Sequence, residues 1–184
     1  GMKEKAAEAH AQFAVKGSDL LTLLRVYDAW ANLRDVRTRR DWCRANFLSD
    51  SALLAIATLR NQLLNCLVEL KFLSPGSLHQ RAAANQHASS TRILKAVCCA
   101  GLYPRVVKMK LPQRKYVETS AGAMEDLGKV EHTKYLLQSG DRVYLHPSSV
   151  MVKAAPEANM NLFLLFYEKV ETSKVYLRDA TDIS

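Results

Sequence analysis

The hydrophobic period of this 184-residue chain changes at Pro104. Upstream of it, apolar residues recur every three or four positions, as the buried face of a helix requires; downstream they alternate with polar ones, as the two faces of a strand require. That switch excludes an all-helical bundle and an all-β sandwich, and predicts an α+β chain with its helices first. Ser18 and Asp19 read as the cap of a helix on which Leu20, Leu23, Leu24, Tyr27 and Trp30 fall at helical spacing. A short helix over 41–48 brings Trp42 and Phe47 as core volume. Ser49-Asp50-Ser51 then caps the longest pattern, whose stripe of Leu53, Ile56, Leu63, Leu67 and Leu70 is expected to face a core and which Ser74-Pro75-Gly76 ends. Three helices so closely spaced predict a small bundle. Residues before Lys16 read as an exposed helix or a frayed terminus.

The periodicity fades over 77–90, which reads as a connector, and Arg92 opens a further short helix that Tyr103-Pro104 stops. Alternating segments follow at 106–111, 115–119, 142–146, 162–168 and 173–178. About five short strands with a leading helix predict a small barrel. The expected division is 1–88, helical, and 89–184, the barrel.

A net charge of +8 points to an anionic partner, and its distribution says more than its total. From Leu70 to Val117 no Asp or Glu occurs, while Lys71, Arg81, Arg92, Lys95, Arg105, Lys108, Lys110, Arg114 and Lys115 do. The four cysteines, Cys43, Cys66, Cys98 and Cys99, are too sparse for a disulfide framework and suit a reducing intracellular compartment, with the adjacent pair buried as small hydrophobes. Arg60, Glu69 and Lys95 interrupt the longest apolar stretches, so no membrane span is expected. Gly1 ahead of Met2 reads as the remnant of a cleavage and the chain as a fragment.

Two blocks carry a resemblance. The first is Ser18-Asp19-Leu20-Leu21-Thr22-Leu23-Leu24-Arg25-Val26-Tyr27 with Trp30, then Trp42-Cys43, Asn46-Phe47-Leu48 and Leu59-Arg60-Asn61-Gln62-Leu63. The second is Ile93-Leu94-Lys95-Ala96-Val97-Cys98-Cys99-Ala100-Gly101-Leu102-Tyr103-Pro104, then Leu145-His146-Pro147-Ser148-Ser149-Val150 and Glu171-Thr172-Ser173-Lys174-Val175-Tyr176-Leu177-Arg178. In this order they resemble the C-terminal region of DEAH/RHA-type RNA helicases. The first block looks like the end of the helicase-associated, ratchet-like helical segment and the second like the OB-fold. Leu59, Arg105 and the stretch 119–140 depart from the family pattern.

No Gly-Lys-Ser/Thr loop and no Asp-Glu-x-His box occurs, so the chain alone is not expected to be an enzyme. The resemblance implies a parent that is an ATP-dependent RNA helicase, a hydrolase whose RecA-like motor domains bind ATP and Mg. In such a parent the helical segment and OB-fold help to close a channel for single-stranded RNA. The residues expected to touch RNA are Lys108, Lys110, Arg114, Lys115, Arg142, His146, Ser148, Ser149, Lys174 and Arg178: the cations suit phosphates, and the imidazole and hydroxyls suit phosphate or the ribose 2′-OH. No catalytic or metal-ligating residue is expected. The bland alternatives are an exposed solubilising face for the cations, a self-capping turn at 146–149, and a core role for Tyr176. Arg34, Arg37, Arg39, Arg40 and Arg44 read as a solvated connection or as a contact with a missing domain. A rival function is protein docking, either to a helicase activator or to the parent's RecA-like and winged-helix domains. The expected setting is intracellular, in nucleus, cytoplasm or organelle, with no membrane partner.

Overall fold

A computed structural model describes residues 1–74, 82–110, 115–119, 122–126, 133–153 and 163–183, with the side chains of 115–119, 122–126 and residue 153 excepted. Close contacts divide the chain into two units: Gly1–Ala14 with Leu21–Ile93, and Val15–Leu20 with Leu94–Ser184. Beside the expected division at 88/89, this one falls a few residues later and adds an early strap, Val15–Leu20, to the second unit. Helices lead and strands follow, as the change of period predicts.

The first unit holds α1 (Met2–Ala11), most of α2 (Asp19–Ala31), α3 (Val36–Ala45) and α4 (Asp50–Glu69). Trp30, Cys43 and Leu53 form its buried centre, with Tyr27, Trp42, Leu48 and Ala57 packed around them. A buried indole N–H requires an acceptor, and Asp50 supplies one at 2.9 Å from the first turn of α4. Ser49 caps α4 as expected, accepting the Ala52 N–H at 3.2 Å. α1 buries none of its residues, and the segment after it is tied down by the Phe13 ring meeting the edge of Trp42 at 5.7 Å.

The stripe expected to line a core along α4 is covered only at its start. Leu53 is buried, whereas Ile56, Leu63, Leu67 and Leu70 are exposed. α4 runs past the Trp30 cluster, with Arg60 5.4 Å over the Tyr27 ring, and the later residues of the stripe are left uncovered. By length and composition alone, with a mean hydropathy of 1.3, it could also cross a bilayer, which the expectation of no span had not allowed for. Among the arginines of the α3 region, Arg39 has structural work: its guanidinium lies 4.8 Å over the Trp30 ring and its Nε donates to the Leu33 carbonyl at 2.7 Å.

In the second unit most of α5 (Thr91–Leu102) leads, among the described residues, into nine strands and a short α6 (Val150–Lys153). The strands are β1 (Val106–Lys110), β2 (Lys115–Thr119), β3 (Gly122–Asp126), β4 (Lys134–Leu136), β5 (Arg142–Leu145), β6 (Phe163–Leu165), β7 (Glu168–Glu171), β8 (Val175–Arg178) and β9 (Thr181–Asp182). Seven join in the order β7-β8-β5-β4-β1-β6-β9, and β2 pairs with β3 as a separate hairpin. All pairs are antiparallel except β5 with β8. The strand count exceeds the five expected because 162–168 breaks into parts of two strands, β4 and β9 are too short to show alternation in the sequence, and β3 (Gly-Ala-Met-Glu-Asp) has one large apolar residue and so no alternation to show. Val107, Val143, Leu145, Leu164 and Leu177 point to one side and bury a core with Met151, Phe166 and Ala180.

The strap closes this unit. Of Ser18 and Asp19, expected together to cap α2, Ser18 directly precedes the helix and Asp19 is its first residue, and the Asp19 carboxylate reaches away from it to accept the Val150 N–H at 2.8 Å and the Ala180 N–H at 2.9 Å. Ser18 Oγ meets Thr181 Oγ1 at 3.0 Å, and the Asp182 N–H donates to the Gly17 carbonyl at 2.8 Å. Gly17 has φ +80°, which favours glycine, and a Cβ there would lie 2.8 Å from an Asp182 carboxylate oxygen, which would have to shift. That carboxylate also pairs with Lys95 of α5.

Candidate nucleic-acid interface

Because neighbouring residues on a strand face opposite sides, the buried set fixes what the other face carries. With Val107 and Met109 buried, Lys108 and Lys110 stand outward on β1; with Val143 and Leu145 buried, Arg142 and Tyr144 stand outward on β5. Directly opposed residues share a face, so the register extends the argument across the sheet. Phe163 opposes Lys108, Lys108 opposes Leu136, and Leu136 opposes Arg142, which makes one row over four strands. Lys110 opposes Lys134 in a second row, and Tyr144 opposes Tyr176 in a third.

Cations and rings therefore alternate across one side of the sheet. The Tyr144 ring carries Arg142 at 5.0 Å and Lys174 at 4.7 Å from its centroid, and its own centroid is 6.1 Å from that of Tyr176. His146 meets the Tyr176 ring edge-on at 6.2 Å. Such contacts hold positive charges in place without neutralising them, and leave them able to accept phosphates.

The turn after β5 is built by its own side chains. The Ser148 N–H donates to His146 Nδ1 at 3.2 Å, with Ser148 Oγ 2.6 Å from the same nitrogen. A nitrogen that accepts from a backbone N–H carries no proton, which leaves the ring's hydrogen on Nε2. Ser149 is buried and its hydroxyl accepts the Met151 N–H at 3.1 Å, which commits it to the fold. Asp179, just beyond β8, has its carboxyl held above the ordinary value of 3.8, first by burial and then by the Asp19 charge.

Of the residues expected to touch RNA, the fold brings Lys108, Lys110, Arg142, His146 and Lys174 to this side, with Ser148 at its edge in the exposed turn. Arg178 also stands outward, but shares its guanidinium with Glu168 at 4.0 Å. Ser149 does not reach the surface, because its hydroxyl is spent on the turn. Arg114 and the side chain of Lys115 lie outside the described residues. Sequence reasoning passed over Lys134, Tyr144 and Phe163; the signal for Tyr144 was its parity with Arg142 and His146. Tyr176, left between core and surface, faces outward and is half-buried.

Residues 94–184 match the oligonucleotide/oligosaccharide-binding (OB)-fold family. The second unit is thus an OB-fold domain of that family. The chain is 33% identical, over 98% of its length, to the putative DEAH-box ATP-dependent helicase UM11114 of Mycosarcoma maydis, 12% of which it spans. It is 32% identical over 99% of its length to the putative ATP-dependent RNA helicase DHX57 of Homo sapiens, spanning 14% of it. Against the ATP-dependent DNA/RNA helicase DHX36 of Rattus norvegicus the figures are 34%, 99% and 17%. Over nearly its whole length the chain is thus similar to one part of DEAH-box ATP-dependent helicases, consistent with a C-terminal region of such a protein, and it spans less than a fifth of each of these relatives.

Proposed function

We propose that this chain is the RNA-binding accessory module of a DEAH-box ATP-dependent RNA helicase, whose OB-fold helps to form the channel for single-stranded RNA. The parent's motor domains would hold ATP and Mg and perform the hydrolysis; this chain contributes grip. The observation that carries the reading is the outward side of the sheet, where Lys108, Lys110, Arg142 and Lys174 alternate with Phe163, Tyr144 and Tyr176. Single strands are bound by that combination, cations along the phosphates and rings under the bases. Cations and rings of this kind meet phosphates and the faces of bases, so the contacts favour backbone and 2′-OH over sequence.

Salt dependence tests it. Each phosphate neutralised on a single strand adds about 0.7 to the slope of log K against log salt, so replacing the four cations by Gln removes about 3 from the slope. Fluorescence anisotropy with a short single-stranded RNA over a salt series gives both slopes. Equal slopes for wild type and variant would overturn the reading.

A second reading, protein docking without RNA contact, draws on the exposed Leu59, Leu63 and Leu67 of α4, which offer an apolar stripe at helical spacing. It predicts no RNA affinity at low salt, and that outcome decides for it.

A further inference from the structure

One end of the same side of the sheet is not flat. A groove of ≈ 670 Å³ opens there, with Cys99 and Tyr103 on the α5 side, Lys108 and Lys110 of β1 on another, and Phe163 and Gln138 completing the wall. All of these belong to the OB-fold unit. Tyr103 is 68% and Phe163 47% exposed. Among the described residues neither ring packs against another aromatic, although Tyr27, Trp30, Trp42, Tyr144 and Tyr176 all do. Two unstacked rings beside two lysines, in an otherwise apolar recess, lack the partner that would use them.

We propose that this groove receives an unstacked nucleobase of the bound single strand, with the flanking phosphates on Lys108 and Lys110 and the Gln138 amide against the base edge. The inference rests on the RNA-binding reading and adds to it one recessed subsite, with Tyr103 and Gln138, in which a single base is held. Charge complementarity selects the occupant: an apolar peptide gains nothing from the two lysines, and a free phosphate gains nothing from the rings. The recess has room for a nucleotide. An amide that both donates and accepts meets the edge of any base, and favours the one whose groups match it best.

The test separates base from backbone. The full chain is titrated with a short single-stranded RNA and with a fully abasic ribose-phosphate strand of the same length and charge, for wild type, Tyr103→Ala and Phe163→Ala. Stacking on one ring is lost on alanine substitution with about a 5- to 150-fold weakening. The expected result is that each variant weakens binding of the base-bearing strand within that range and leaves the abasic strand unaffected. Tyr103 stands mostly in solvent, so its variant keeps the fold even where Phe163→Ala loosens β6; circular dichroism checks both. If both variants bind the two strands as wild type does, the groove holds no base, while the RNA-binding reading stands. If wild type binds neither strand at low salt, both fall together.

Discussion

Replacing Asp19 by Ala tests how the OB-fold unit is closed. The residue is 6% exposed, and its two oxygens accept the backbone N–H of Val150 and of Ala180 at 2.8 and 2.9 Å. Hydrogen bonds to a charged group are worth about 1.5–3 kcal/mol each, and a buried donor left without a partner costs its desolvation. Two bonds therefore give about 3–6 kcal/mol. Part of this is returned, because the Asp19 charge is among the causes that hold the Asp179 carboxyl above its ordinary value, and that repulsion ends with the substitution. A net loss of about 3 kcal/mol is expected for Asp19→Ala. Asp19→Asn keeps one acceptor and sets an NH2 against the other donor, so it should recover at most half. Urea unfolding followed by tryptophan fluorescence would report mainly the first unit, which contains Trp30 and Trp42, so amide hydrogen exchange at Val143, Leu164 and Leu177 is the suitable measurement. A loss below about 1 kcal/mol at those amides, or an Asn variant as stable as wild type, would refute the assignment of Asp19 as a double anchor.

Two further outcomes are expected. Gly17→Ala should lower the OB-fold unit's stability by about 2 kcal/mol, from the left-handed backbone and the crowded Asp182 carboxylate together, and show as a lower thermal midpoint. Asp179→Asn should stabilise at neutral pH. The folded state holds that carboxyl's titration above 3.8, so it binds a proton more tightly than the unfolded chain does, and wild-type stability falls as pH rises through that window. The gain should vanish below pH 3.8, where both states are protonated; Asn also accepts the φ of 53° found there.

What could be read from the amino acids, and what could not, divides along sequence distance. The parity of Val107 and Met109 against Lys108 and Lys110 lies within five residues, and the sequence alone puts both lysines on one face. The Ser49 cap is local in the same way. Asp19 was misassigned because its nearest role, capping α2, is available to any Asp before a helix, whereas its actual partners stand 131 and 161 residues away. The groove escaped notice for the same reason: Tyr103, Phe163 and Gln138 belong to three separate stretches, and only the order β4-β1-β6 joins them. The α4 stripe was recognised as amphipathic, but periodicity tells which residues share a face and not whether a partner is present to cover it.

The strap has a consequence in time. Ser18 and Thr181, which it brings together, are separated by 163 residues, and closing a loop of that length costs about 4–5 kcal/mol in chain entropy. On a ribosome adding about 5–20 residues each second, the strap emerges and then waits roughly ten to thirty seconds for the strand it will bind. Through that interval the α1–α4 helices can form, but Val150 and Ala180 have not both been made, and the Asp19 carboxylate stays in water. The OB-fold unit is thus assembled from stretches made far apart in time, and it cannot close until Ala180 has been made.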